Sequence, residues 1–141
     1  WSSLVGSEMC IRDRLISAGT VHVRVKKMED LGIIKGSSLT LDYKMLGYNF
    51  IAYVGVLIDR SRRTYEIIEE LKKKPYVTVA HITTGKYNIF CKIRAKGTEH
   101  AREIIFSIDD VEGVLRTETM ISLEESINDK KRLMKNIFQE L

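Results

Sequence analysis

Three histidines, two cysteines and nineteen carboxylates are the groups in this 141-residue sequence best able to move a proton, hold a metal or attack a substrate. Their spacing assembles no such site. His22, His81 and His100 lie far apart and match no metal-ligand pattern. Cys10 and Cys91 form no CxxC pair, so neither a zinc knuckle nor a disulfide framework organises the chain. No nucleophile-elbow serine, P-loop or dinucleotide-binding glycine signature occurs. Glu69-Glu70 and Asp109-Asp110 fall on a helix face and in a turn, where solvated charge is the ordinary reading. His81, mid-strand beside a loop, is the single acid/base candidate. It reads either as a satisfied half-buried histidine or as a ligand contact, while His100 is expected to be exposed. No catalytic residue, metal or cofactor is expected, and the chain does not read as an enzyme.

The elements explain where these residues must sit. With 44% hydrophobic and 30% charged residues, the composition is that of a soluble globular chain. The longest apolar stretch, Phe50–Ile58, is too short to span a bilayer, and no signal peptide opens the chain, so a cytoplasmic location is expected. The net charge of +4 is mild, but it clusters at 22–27 and 60–63. Ala18–Leu31 reads as a helix with Val21, Val25, Met28 and Leu31 as its inner stripe and Gly32 as its C′ residue. Leu39–Tyr43 alternates as a linker strand.

From Tyr48 the period changes. Tyr48–Ile58 reads as a central strand, and Thr64–Lys74 as a helix with Ile67, Ile68 and Leu71 inside. Tyr76–Thr83 and Tyr87–Lys96 read as strands joined by a short loop. In the latter, Tyr87, Ile89, Cys91, Ile93 and Ala95 face one way, which makes Cys91 a core residue. A second helix follows Gly97-Thr98, with Ala101, Ile104, Ile105 and Ile108 inside; a last strand covers Val114–Leu123. Glu124–Leu141 reads as a closing helix with Ile127, Met134, Phe138 and Leu141 inside. Strand, helix, strand, strand, helix, strand is the ferredoxin-like βαββαβ unit, and the fold class is α+β. Its helices cover one face of the sheet. A partner subunit is the economical cover for the other, so a dimer is expected.

Residues 1–14 share no pattern with the rest. The string Leu4-Val5-Gly6-Ser7-Glu8-Met9-Cys10-Ile11-Arg12-Asp13-Arg14 resembles translated sequencing-adapter DNA. A non-native leader is expected there; a natural disordered arm is the alternative. The expected domains are this leader, a partial helix-turn-helix and linker over 15–47, and the effector-binding and oligomerisation domain over 48–141.

Two stretches carry a family resemblance. Ser17-Ala18-Gly19-Thr20-Val21-His22-Val23-Arg24-Val25-Lys26-Lys27-Met28-Glu29-Asp30-Leu31-Gly32-Ile33-Ile34 resembles the recognition helix and exit of the leucine-responsive regulatory protein family (Lrp/AsnC, feast/famine regulators). Met28 stands in the usual leucine position. Downstream, Leu41-Asp42 and Leu46-Gly47 resemble the family's linker. Thr84-Gly85-Lys86-Tyr87-Asn88 resembles its T-G-x-Y-D loop, and Gly113-Val114 with Thr117-Glu118-Thr119 resembles its last strand. The resemblance spans about residues 15–141.

It implies a DNA-binding transcriptional regulator of amino-acid metabolism, forming a homodimer and higher homo-oligomers. An amino-acid effector would modulate its hold on double-stranded DNA. Ser17, Thr20 and His22 would lie at base edges, Ala18 and Gly19 would permit the close approach, and Arg24, Lys26 and Lys27 would grip phosphate. His81, Thr84, Gly85, Tyr87, Asn88, Thr117 and Thr119 would form the effector site. No membrane contact is implied.

Two departures qualify this. Only Leu15-Ile16 separates the leader from Ser17, so a recognition helix without its supporting helices is expected to bind DNA poorly, while the intact parent protein binds double-stranded DNA well. Asn88 also replaces the family's Asp, which removes a charge and keeps an acceptor. It reads equally as a ligand contact or as a turn residue. The competing function is a stand-alone oligomeric small-molecule sensor that does not bind DNA; the coding sequence upstream of Leu15 discriminates the two. A small enzyme on the same fold would need an acid/base pocket that only His81 could supply.

Overall fold

A computed structural model describes residues 18–36 and 39–140. The described residues fall into two compact units, one of 42–126 and one comprising those up to Leu41 together with those from Ile127 on. The C-terminal helix therefore groups with the N-terminal segment, and not with the sheet as its position in sequence suggests.

The sheet unit contains β1 (Phe50–Ile58), a short 3-10 turn (Ser61–Arg63), α2 (Thr64–Lys72), β2 (Val77–Ile82), β3 (Ile89–Ala95), α3 (Thr98–Asp109) and β4 (Val114–Ile121). The strands pair antiparallel in the order β2-β3-β1-β4. This is the ferredoxin-like arrangement, and the fold is α+β. One face of β1 contributes Ala52, Val54, Val56 and Ile58; β3 adds Ile89, Cys91, Ile93 and Ala95. Ile67 and Leu71 of α2 and Ala101, Ile104 and Ile108 of α3 close over them. The period-two alternation holds from Ile89 to Ala95, whose alternate residues are buried, but Tyr87, expected on the same side, lies on the opposite face against Gly55 and Phe90. Cys91 lies in this core, and desolvation pushes its thiol up to about 11, so it stays protonated at neutral pH.

Several boundaries differ from the sequence reading for local reasons. α2 ends at Lys72, because Pro75 disfavours helical backbone in the residue before it. Lys73 and Lys74 instead close turns on Glu70 and Leu71. Ile68 and Ile105 are half-buried at the edges of their helical stripes. His100 is half-buried and not exposed: its Nδ1 accepts the Lys96 N–H at 3.0 Å, and its ring meets Tyr76 edge-on at 4.4 Å. Leu39–Tyr43 does not form a strand. An alternating segment becomes a strand only beside a hydrogen-bonding neighbour, and none of the four strands pairs with it.

In the other unit, α1 spans Ala18–Asp30. Gly32 ends it at φ +77°, with its N–H on the Glu29 carbonyl and the Ile33 N–H on the Met28 carbonyl. That is the Schellman stop the sequence indicates. α4 covers Lys131–Glu140, not 124–141. Asp129 sets its start: its Oδ1 accepts the Lys131 N–H at 2.9 Å. Ile127 consequently lies outside the helix and is exposed, while Met134 and Phe138 are half-buried; Leu141 lies outside the described residues. Among the described residues no helix is long and apolar enough to cross a membrane.

Candidate functional site

The second face of the sheet is built from the other parity of each strand. Tyr53, Gly55 and Leu57 of β1 alternate with the core residues, and β3 adds Phe90, Lys92 and Arg94. Arg116, Glu118 and Met120 of β4 pair with Leu57, Gly55 and Tyr53 and so share this face. From β2, His81 stands opposite Phe90. The rings of Tyr53 and Phe90 stack at 5.9 Å, and Tyr87 tilts against Phe90 at 5.9 Å. No helix of this unit covers the row.

The loop between β2 and β3 is tied to this face. Thr83 donates its N–H to the Asn88 carbonyl at 3.1 Å and its hydroxyl to the Tyr87 carbonyl at 3.0 Å. Gly85, at φ +96°, makes the tight reversal between them. Tyr87 then lies across β1 at Gly55, and its hydroxyl donates to Glu118 Oε2 at 2.7 Å. Lys86 Nζ reaches the same oxygen at 3.0 Å, and Arg116 reaches Oε1 at 3.1 Å. Glu118 is thus a clasp that fastens the loop to β4.

The clasp has a pH sign. The Tyr87 hydroxyl first, then Lys86, holds the Glu118 carboxyl below its ordinary value of 4.5. The same bond raises the Tyr87 phenol above 10.0. A depressed carboxyl contributes its full stability above 4.5 and loses it as pH falls through the folded value. The raised phenol contributes below 10.0 and is lost as pH rises further. The Tyr87 ring resonances are therefore expected to shift on acidification below 4.5, and Glu118→Gln should remove that step. An unchanged acid titration in the variant would exclude the clasp as its source.

Asn88 has a structural task. Its Oδ1 accepts the Ile58 N–H at 3.1 Å, and its own N–H donates to the Val56 carbonyl at 3.0 Å. It therefore continues the β1–β3 ladder where the register of β1 shifts. Asn88→Ala strands the Ile58 N–H and is expected to cost about 1–3 kcal/mol. Asn88→Asp keeps the acceptor and should lose less. Urea midpoints check the order, and equal losses would refute the capping role.

The effector residues named from sequence do not converge on one surface. His81 is exposed, and with Tyr87 it lies on the open face. Thr84 and Gly85 form the exposed loop tip. Thr117 and Thr119 pair with Val56 and Val54, so they lie on the helix side. Thr117 donates to Asp109 Oδ1 at 2.8 Å. Thr119 lines a cavity of about 330 Å³ between α3 and β4, with Phe50, Ala101, Ile105 and Ile121. Sequence reasoning missed Gly55, Thr83 and Glu118. A glycine inside a strand is a signal of close approach, and it was available.

Of the residues named for DNA, Ser17 lies outside the described residues and Ala18 opens α1. Gly19, Thr20, His22, Arg24, Lys26 and Lys27 follow on α1 and are all exposed. Val25 and Met28 are half-buried, whereas Leu31 is exposed, so the expected stripe is only partly covered. Among the described residues no group of three metal-ligating side chains comes together.

Known proteins share this architecture. The family model described as the Lrp/AsnC ligand binding domain matches residues 51–131. The regulatory protein AsnC of Haemophilus influenzae is 33% identical over 113 residues, covering 79% of this chain and 75% of its own. The solved structure of Escherichia coli AsnC superposes with a TM-score of 0.77 at 29% identity, over 84% of this chain and 80% of that one. The feast or famine regulatory protein of M. tuberculosis, solved with L-methionine, shares the fold with a TM-score of 0.72 at 20% identity, over 88% and 83% of the two chains. The match to the sheet unit and the identity that extends beyond it agree: this chain belongs to the Lrp/AsnC family.

Proposed function

We propose that this protein is a DNA-binding transcriptional regulator of amino-acid metabolism whose hold on DNA responds to an amino-acid effector and to oligomerisation. The observation that carries this reading is the joining, in one chain, of an exposed basic helix α1 to the ligand domain of a regulator family. Arg24, Lys26 and Lys27 supply phosphate contacts, and the small residues Ala18 and Gly19 allow close approach to base edges. The open aromatic face of the sheet supports a homodimer, with higher assemblies built on it. His81, Thr84, Gly85, Tyr87, Asn88, Thr117 and Thr119 remain the proposed effector residues. Because they lie on two faces, one chain offers two half-sites, and a site that uses all of them takes residues from neighbouring subunits. The relatives are regulatory proteins and not enzymes, in keeping with a chain that acts by binding.

Thermal unfolding with each amino acid tests the effector half. A ligand selective for the folded state adds about 2.7 kcal/mol at 100-fold its Kd, so the midpoint should rise with one amino acid or a small group of them. No shift with any amino acid at millimolar concentration would remove the effector. For the DNA half, a salt-sensitive gel shift with duplex DNA is expected. The match of the family's ligand domain to residues 51–131 also supports a second reading, the stand-alone oligomeric sensor. An amino-acid response together with no duplex binding even at low salt would select it.

A further inference from the structure

We infer that the exposed basic face of α4 is a second contact with the phosphate backbone of duplex DNA; this rests on the DNA-binding reading above and extends it to another helix. The starting observation is a partition of charge. Residues 42–126 hold thirteen Lys and Arg against thirteen Asp and Glu. The whole net charge of +4 therefore lies on the other unit. Half of it comes from residues 127–141, where Lys130, Lys131, Arg132 and Lys135 stand against Asp129 and Glu140.

The helix sorts these residues by face. Advancing about 100° per residue, Lys131, Lys135, Gln139, Arg132 and Asn136 occupy one arc, and Leu133, Met134, Ile137 and Phe138 occupy the opposite arc. All four cations are exposed. The two acids have other partners: Asp129 accepts the Lys131 backbone N–H, and Glu140 accepts from the Asn136 amide at 3.0 Å. Among the described residues, none of the four cations forms an ion pair, whereas Arg63, Lys72, Lys73, Lys86, Lys92 and Arg116 of the sheet unit all do.

An ordinary solvated helix mixes both signs and gains from pairs three or four residues apart. α4 has no acid in its first turn, and Lys131 and Arg132 there oppose the helix dipole. Local stability does not account for this placement, but a polyanion does. Duplex DNA is favoured over an anionic lipid surface because α4 shares its compact unit with α1, whose Arg24, Lys26 and Lys27 are exposed as well.

The test is fluorescence anisotropy of the full chain on a random duplex of about 30 base pairs across a salt series. Each phosphate contact contributes about 0.9 to the slope of log Kobs against log salt. Lys131→Gln/Arg132→Gln/Lys135→Gln is expected to lower that slope by about 2–3 with the unfolding midpoint unchanged. The charge-retaining Lys131→Arg/Lys135→Arg variant should keep it. An unchanged slope in the Gln variant, or an equal loss in the Arg variant, overturns the inference. Arg24→Gln/Lys26→Gln/Lys27→Gln tests α1 separately. If only that variant loses slope, the function stands and α4 has no part in it. If only the α4 variant loses slope, the inference stands and the role of α1 falls. Absence of duplex binding at low salt removes both. Sedimentation with phosphatidylglycerol vesicles, lost in the α4 Gln variant while its DNA slope is unchanged, reassigns the face to lipid.

Discussion

Gly55→Ala is expected to destabilise the sheet unit by about 1–3 kcal/mol. In an unobstructed strand the same change would help, because glycine loses more backbone freedom on folding than alanine does. Here the new Cβ would stand 2.5 Å from Tyr87 Cδ1 and 2.6 Å from Cε1. β1 cannot retreat, since Gly55 pairs with Phe90 on one side and Glu118 on the other. The ring must swing away, and its 2.7 Å bond to Glu118 and its contact with Phe90 go with it. The loop from Thr83 to Asn88 then loses its clasp. Urea unfolding of the full chain measures the loss. Placing the change in a Tyr87→Ala background separates the causes: with the ring gone, the penalty should vanish or reverse, a coupling of about 1 kcal/mol or more. Equal losses in both backgrounds would show that the ring is not what forbids a side chain at residue 55.

What was legible in the sequence followed from local rules. Ile89, Cys91, Ile93 and Ala95 alternate with polar residues, and such a pattern fixes the buried face without help from any other strand. Gly32 behind an amphipathic run is likewise a self-contained stop signal. β4 was different. Its apolar residues sit at both ends of Val114–Ile121 and do not alternate, so nothing in it says which face Thr117 takes. Pairing with Val56 decides that, and pairing is a property of the sheet. The same register sends Glu118 to the opposite face, where it meets Tyr87. Grouping Thr117, Thr119 and Tyr87 as one site therefore joined residues that a single chain separates. Asn88 was ambiguous because an amide between loop and strand suits a ligand or a backbone N–H equally well; only the position of Ile58 resolves it. At α4 the Asn128-Asp129 pair is a helix-start signal, and the helix begins behind it at Lys131 rather than at Glu124.

Phe90→Asp is expected to weaken the proposed dimer by about 100-fold or more, equivalent to about 2.7 kcal/mol. Phe90 is the middle ring of the Tyr53–Phe90–Tyr87 row, half-buried within one chain. Val79 and Met120 lie exposed on the same face, and Lys92, Arg94 and Glu118 bring charge around them. Aromatic anchors inside a polar rim are the pattern in which a few side chains carry most of an interface. A carboxylate at the centre would be buried without a partner on association, and the substitution would also remove two ring contacts. The core between the sheet and its helices contains none of these side chains, so the monomer should remain folded. Sedimentation equilibrium with far-UV circular dichroism reads both properties. A folded monomer is the expected result, with Phe90→Leu still dimeric. A dimer of unchanged Kd would move the interface off this face. Dissociation should also weaken duplex binding well beyond any local effect. If α1 contacts DNA as proposed, two α1 helices joined through one dimer would bind the second half-site at a high effective concentration, and separated chains would lose that advantage.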